Sequence, residues 1–171
     1  MKKIFLILTL LLFSCAHADI FNYPNKLEYI SKQIPDLKSI KCTFREEKNL
    51  VNIEKPLVSG GDFEFIKGKG VYFHTKYPVE SSVSYTASGY KRINDIINAI
   101  ASKRYSKLEK EFNFYYEKND IVWSIGLKPK KNSDAYNYIN SVILYGTSYI
   151  NRIIINQTNG NKTSIWFKKL N

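Results

Sequence analysis

Two long stretches of this chain, 40–86 and 112–168, are written in a two-residue period. Ile40, Cys42 and Phe44 alternate with Lys41, Thr43 and Arg45. Phe63 and Phe65 fall on one side of a run, and Asp62 and Glu64 on the other. Successive side chains of a strand point to opposite faces, so this spacing predicts strands with one face buried and one wet. Leu57–Ser59 and Asp62–Lys67 carry the pattern across Gly60-Gly61. Gly68-Lys69-Gly70 reads as a tight reversal into Val71–Thr75, and Val79–Thr86 follows Pro78. The second stretch gives Phe112–Glu117, Ile121–Lys128, Val142–Leu144, Tyr149–Asn156 and Thr163–Lys168. Its turns are Lys118-Asn119-Asp120 and Asn159-Gly160.

Elsewhere the period is helical. Leu27, Ile30 and Ile34 mark one face of a short helix over Asn25–Ile34, stopped before Pro35. Ile93, Ile96, Ile97, Ile100 and Leu108 keep helical spacing through Ile93–Glu111. Ser102 stands where it could cap a second helix, so two short helices are expected there. Ser133–Ile139 allows one helical turn. The order is a helix, about four strands, a helical pair, then about five strands. Connections this short demand antiparallel neighbours, and a sheet this large tends to curl. The predicted fold is mainly β with helices (α+β): a curved antiparallel half-barrel with short helices plugging its concave side.

The first 18 residues stand apart. Lys2 and Lys3 precede the apolar run Ile4–Phe13, and Ala16-His17-Ala18 supplies small residues ahead of Asp19. That is the layout of a secretory signal peptide, with residues 19–171 as a single domain and the periplasm as destination. A second reading is open: Leu12-Phe13-Ser14-Cys15 resembles a lipobox, which would lipidate Cys15 and make an outer-membrane lipoprotein. With cleavage after Ala18 only Cys42 remains, which cannot form an internal disulfide and reads as a small buried apolar residue. No later apolar run approaches the roughly 20 residues needed to cross a bilayer as a helix.

Reactive constellations are missing. His74 is the one histidine after residue 18, on a strand beside Phe73. No cysteine, histidine or carboxylate grouping has metal-ligand spacing, and no motif of a phosphate or dinucleotide loop or a nucleophile elbow occurs. Glu46-Glu47 and Glu109/Glu111 read as solvated faces. A non-enzymatic protein without cofactor or metal is expected. The chain carries Lys+Arg 26 against Asp+Glu 15, net +11, and removing the two lysines of the leader leaves +9. The lysines are scattered and no base-stacking motif accompanies them, so nucleic acid is not expected. Anionic headgroups or an acidic protein partner fit an exported chain better.

Aromatic side chains concentrate on the alternating positions, among them Phe44, Phe63, Phe65, Phe73, Tyr85 and Trp123. A single curved sheet bearing such residues on its inner face can hold an apolar ligand.

Several segments resemble the LolA-type periplasmic lipoprotein carriers. Ser39-Ile40-Lys41-Cys42-Thr43-Phe44 is similar to the opening strand of that family. Glu54-Lys55-Pro56-Leu57-Val58-Ser59-Gly60-Gly61-Asp62-Phe63-Glu64-Phe65 resembles its next stretch. Gly70-Val71-Tyr72-Phe73-His74-Thr75-Lys76-Tyr77-Pro78 matches a further segment, with Phe73 in place of the usual Trp. Trp123–Pro129 is similar to a later strand. The resemblance covers roughly residues 25–168 of the chain. It implies a monomeric carrier with an apolar cavity for the acyl chains of lipoproteins or other lipids. Such a carrier receives cargo from an inner-membrane release complex and delivers it to an outer-membrane receptor or the membrane surface. With Cys15 lipidated, the implied role becomes that of a tethered, LolB-like receptor; a secreted binding module is the remaining alternative. The expected cavity wall is Phe44, Phe63, Phe65, Val71, Phe73, Tyr85 and Trp123. Ile93, Ile96, Ile97 and Ile100 are its expected lid, and Lys67 stands at the position of the arginine that latches the lid in the family.

Overall fold

The computed structural model describes residues 19–83 and 91–170. The leader, Cys15 and Tyr85 lie outside the described residues. After a single 3₁₀ turn (Ile20–Asn22) comes helix α1, Leu27–Gln33. Four strands follow: β1 (Ile40–Asn49), β2 (Leu57–Ile66), β3 (Gly70–Tyr77) and β4 (Ser81–Val83). Helices α2 (Lys91–Ala101) and α3 (Ser106–Glu111) lead into β5 (Phe112–Asn119) and β6 (Val122–Pro129). A second 3₁₀ turn at Asp134–Asn137 precedes β7 (Ile139–Gly146), β8 (Ile150–Gln157) and β9 (Lys162–Lys169).

The nine strands form one antiparallel sheet in the order β4-β3-β2-β1-β9-β8-β7-β6-β5. β4 and β5 are its two edges, so the sheet is open. The chain's last strand sits at its centre, joining the meander β1–β4 to the meander β5–β8. The expected α+β half-barrel is the architecture observed.

Curvature is visible in the side chains. β3 and β9 are three strand steps apart, which in a flat sheet separates them by roughly 14 Å. The rings of Phe73 and Phe167 nevertheless lie 6.4 Å apart on the inner face. The wall is therefore concave towards the helices. Along β1 the inner positions are Cys42, Phe44, Glu46 and Lys48; their partners are Phe63, Gly61, Ser59 and Leu57 on β2. A register shift beside Gly60 and Gly61 interrupts the pairing of β2 with β3.

Local signals act where the sequence places them, with adjustments. Ile30 and Ile34 are buried and α1 stops ahead of Pro35. Ser102 does not begin a helix. Its amide donates to the Asn98 carbonyl as part of the last turn of α2. Lys103 then takes a φ of 53°, and the Arg104 amide reaches back to the Ala99 carbonyl, closing the helix by a left-handed cap. Gly146 has a packing role: a side chain there would sit 2.1 Å from the Trp123 ring, its cross-strand partner.

Candidate functional site: the concave wall beneath α2

Helix α2 lies across the inner face of the first meander, closest to β3. Ile96, Ile97 and Ile100 are buried and Ile93 is half-buried. The spacing i, i+3, i+4, i+7 sets all four on one helix face, and that face meets the sheet. Below them stand Phe44, Phe63, Phe65, Val71 and Phe73, all buried. Phe73 meets Phe44 edge-on at 5.1 Å and Phe63 at 4.9 Å, and Phe63 lies 4.4 Å from Phe167. The structure thus brings five of the expected wall residues together with the four isoleucines.

Trp123 is placed differently. It occupies the inner face of β6, in the other wing of the sheet, packed over Gly146. Its Nε1 donates to the Thr147 carbonyl at 2.6 Å.

The polar attachment of α2 to the wall involves a residue that sequence reasoning passed over. Asn94, buried on α2, accepts a hydrogen bond at Oδ1 from the Val71 amide at 3.0 Å. Asn94 lies one position after Ile93, inside the apolar stripe, and that interruption is the signal that could have found it. Lys67, at the expected latch position, pairs with Asp36 at 2.5 Å, in the connection between α1 and β1. The ammonium holds the Asp36 carboxyl below its ordinary range, first through the hydrogen bond and then through charge attraction.

The closed arrangement is apolar but imperfectly satisfied. Asn98 Oδ1, Ser102 Oγ and the hydroxyls of Tyr105 and Tyr116 are buried without a protein hydrogen-bond partner. Burial pushes the Tyr105 phenol up to about 12. It does the same to the Cys42 thiol, on the inner face of β1, also to about 12. A thiol so placed is a poor nucleophile.

Among the described residues, two recesses flank the helix. One is a hollow of about 20 Å³ between Leu37, Phe63, Phe65, Ile97 and Phe167, hardly larger than a water molecule. The other is a cleft of about 380 Å³ on the side of α2 that faces the centre of the sheet. Ile93, Ile96, Ile139, Val142 and Ile155 make its apolar wall; Glu46, Lys48, Gln157 and Thr163 make its polar end. Glu46 was expected on a solvated face. It is instead 3% exposed, because the alternation that buries Cys42 and Phe44 carries Glu46 inward as well. Glu47 points outward and pairs with Arg45.

Val71 is buried beneath α2, so Val71→Glu would place an unpaired carboxylate there and destabilise the fold. Among the described residues no helix is long and apolar enough to cross a membrane.

No family model and no curated protein matches the sequence. Solved structures do resemble the fold. A LolA superfamily protein from Nitrosomonas europaea is 11% identical with a TM-score of 0.41, covering 85% of this chain and 91% of its own. A domain from Vibrio parahaemolyticus named for outer-membrane lipoprotein sorting is 10% identical with a TM-score of 0.39, covering 90% and 93%. A DUF1329 family protein from Desulfovibrio piger is 11% identical with a TM-score of 0.37, covering 83% and 88%.

Proposed function

We propose that this chain is an exported carrier that shelters the acyl chains of a lipid or lipoprotein between α2 and the concave wall, and conveys them from the inner to the outer membrane. The observation that carries the reading is one amphipathic helix seated on an aromatic wall, with a cleft of about 380 Å³, largely walled by isoleucine and valine, open along its side. The energetics suit exchange. Removing an isoleucine side chain from water contributes roughly 1.5–3 kcal/mol, so three buried isoleucines and a partial fourth give on the order of 5–10 kcal/mol. A buried methylene contributes about 0.8 kcal/mol, so eight to ten methylenes give about 6–8 kcal/mol. Helix and acyl chain thus compete for one surface on nearly equal terms. Neither wins so decisively that loading or release is blocked.

The polar atoms of Asn98 and Ser102 work in the same direction. A buried group without a partner destabilises by about 1–3 kcal/mol when water cannot reach it. Closure of α2 is therefore shallower than its isoleucines alone would make it.

In this reading residues 1–18 are an export leader and residues 19–171 one carrier domain acting as a monomer in the periplasm. The inner-membrane donor and the outer-membrane acceptor are its partners. Native mass spectrometry of the protein purified from membranes tests it. The expected spectrum shows one acyl-bearing ligand per chain, displaced by added fatty acid. A bare chain that also fails to bind an acyl probe in solution would end the proposal. The same spectrum distinguishes a free N-terminus at Asp19 from a lipidated Cys15.

A further inference from the structure

The cleft beside α2 is not uniformly apolar, and its asymmetry follows from the register. On the concave face, Lys48 of β1 is opposite Thr163 of β9, Thr163 is opposite Ile155 of β8, and Ile155 is opposite Val142 of β7. One cross-strand row therefore runs from ammonium and hydroxyl at one end to branched hydrocarbon at the other. Glu46 lies one inner position along β1 from Lys48. Its carboxylate accepts from Ser59 Oγ at 3.0 Å and lies 3.5 Å from Lys48 Nζ. The Glu46 side chain is 4% exposed and that of Lys48 44% exposed. A carboxylate taken this far from water needs donors or positive charge beside it, and Ser59 and Lys48 are among those that supply them. Here it borders a space large enough for a ligand, with an ammonium beside it and an isoleucine wall opposite.

Resting on the carrier reading above, we infer that this cleft receives the head of a zwitterionic aminophospholipid. The lipid ammonium faces Glu46, the phosphate faces Lys48 and Thr163, and the first methylenes of the acyl chains lie along Ile93, Ile155 and Val142. The two protein charges present a dipole, and a head carrying both signs is its complement. Neither a neutral nor a purely anionic head matches both ends. The chain's overall charge works against this choice. A net charge of +11 favours anionic heads at long range, so a preference for an ammonium-bearing head must arise at a local site.

The test is displacement of a fluorescent fatty acid from the full mature protein at physiological salt. Three short-chain lipids with identical acyl chains serve as probes: phosphatidylethanolamine, its N-acetyl derivative and phosphatidylglycerol. The ethanolamine lipid should bind about tenfold or more tighter than the other two, since a hydrogen bond to a charged group is at stake. Glu46→Gln keeps an acceptor for Ser59 and nearly the same shape. It should erase the advantage of the ethanolamine lipid, bringing its affinity within about twofold of the other two. Equal binding of the three lipids by the unaltered protein overturns the inference and leaves the carrier reading intact, and that comparison needs no variant to fold. A preference that survives Glu46→Gln also overturns it. So does equal binding of a diacylated peptide bearing a free α-amine and no phosphate, which would make the lipopeptide amine the ligand. Failure of the fatty acid and all three lipids to bind overturns the carrier reading itself.

Discussion

The two wings of the sheet are covered in different ways. Away from the cleft, the second meander is sealed around β6 by hydrocarbon of near-zero exposure: Trp123, Ile125, Leu127 and Leu144. The N-terminal segment is strapped to its edge by backbone. The Asn25 amide donates to the Phe114 carbonyl, the Tyr116 amide donates to the Tyr23 carbonyl, and Asn25 Nδ2 donates to the Tyr116 carbonyl. On the outer face Phe21 lies edge-on to Tyr115 at 5.2 Å, with the Lys128 ammonium 4.5 Å above its ring. The first meander has an aromatic wall and a helix resting on it, tied through Asn94 to Val71 and through Asp95 to Lys107 of α3 at 2.7 Å. A cover held by backbone bonds in β geometry moves only with the sheet. A cover held by side chains and dispersion can lift as a body. On the carrier reading, the contrast makes the β5–β6 end of the sheet the frame, and the wall under α2, with the cleft that runs on to β7 and β8, the working surface.

The largest expected effect tests the frame. Trp123→Ala should lower stability by about 3–5 kcal/mol in denaturant melts, the usual loss for a large buried aromatic. It should leave acyl-probe affinity per folded molecule within about twofold. Strong loss of affinity without loss of stability would reverse the assignment of the two wings. Next is Cys42, 1% exposed and with its thiol pushed up to about 12. Its alkylation at pH 8 should run about a thousandfold slower than that of an unfolded thiol, since only the thiolate reacts. Adding an acyl ligand that lifts α2 should accelerate the reaction, and an unchanged rate on saturation would argue that the wall stays covered. Smaller again is Asn94→Leu. It strips the Val71 amide of its acceptor and should destabilise closure by about 1–3 kcal/mol. Hydrogen exchange should quicken at Val71 and along α2 while the amides of β6 and β7 keep their protection. Uniform quickening across both wings would show the molecule to be one cooperative unit, without a movable cover.

Much of this division is legible in the sequence, and the reasons are physical. Alternation along β1, β2 and β3 is strict because one face meets helices and the other meets water, so the aromatic wall can be read from spacing alone. The isoleucines of α2 fall at helical intervals for the same reason. Trp123 is on the correct face of its strand, yet strand order puts it in the other wing. Period reports a face and says nothing of lateral position, which is fixed by β9 pairing with β1 at long range. Glu46 obeys the alternation too. Its residue type, next to Glu47, suggests a solvated face, while its phase along β1 places it inward. Asn94 is hidden for a related reason: a polar residue within an apolar stripe has meaning only once the exposed amide of a neighbouring strand is known.

Lys67 closes the comparison with the smallest effect. Its partner Asp36 is an exposed carboxyl in the link between α1 and β1. Exposed ion pairs contribute little to stability, so Lys67→Met should shift the melting temperature less than any change above. The sign of its pH dependence is fixed. Asp36 has a folded value depressed below the ordinary 3.8, so the stabilisation is present above that value and is lost as pH falls through the depressed one. The difference between Lys67→Met and the parent should therefore be constant from about pH 5 to neutrality and fade in acid as pH drops through the depressed Asp36 value. Lys67→Arg should match the parent in stability and in acyl-probe affinity, because a single exposed carboxylate gains little from a planar fork. If Lys67→Met instead raised hydrogen exchange along α2 to the level of Asn94→Leu, this lysine would be holding the helix across the wall. The tie between the working wing and its cover would then run through position 67 rather than through Asn94.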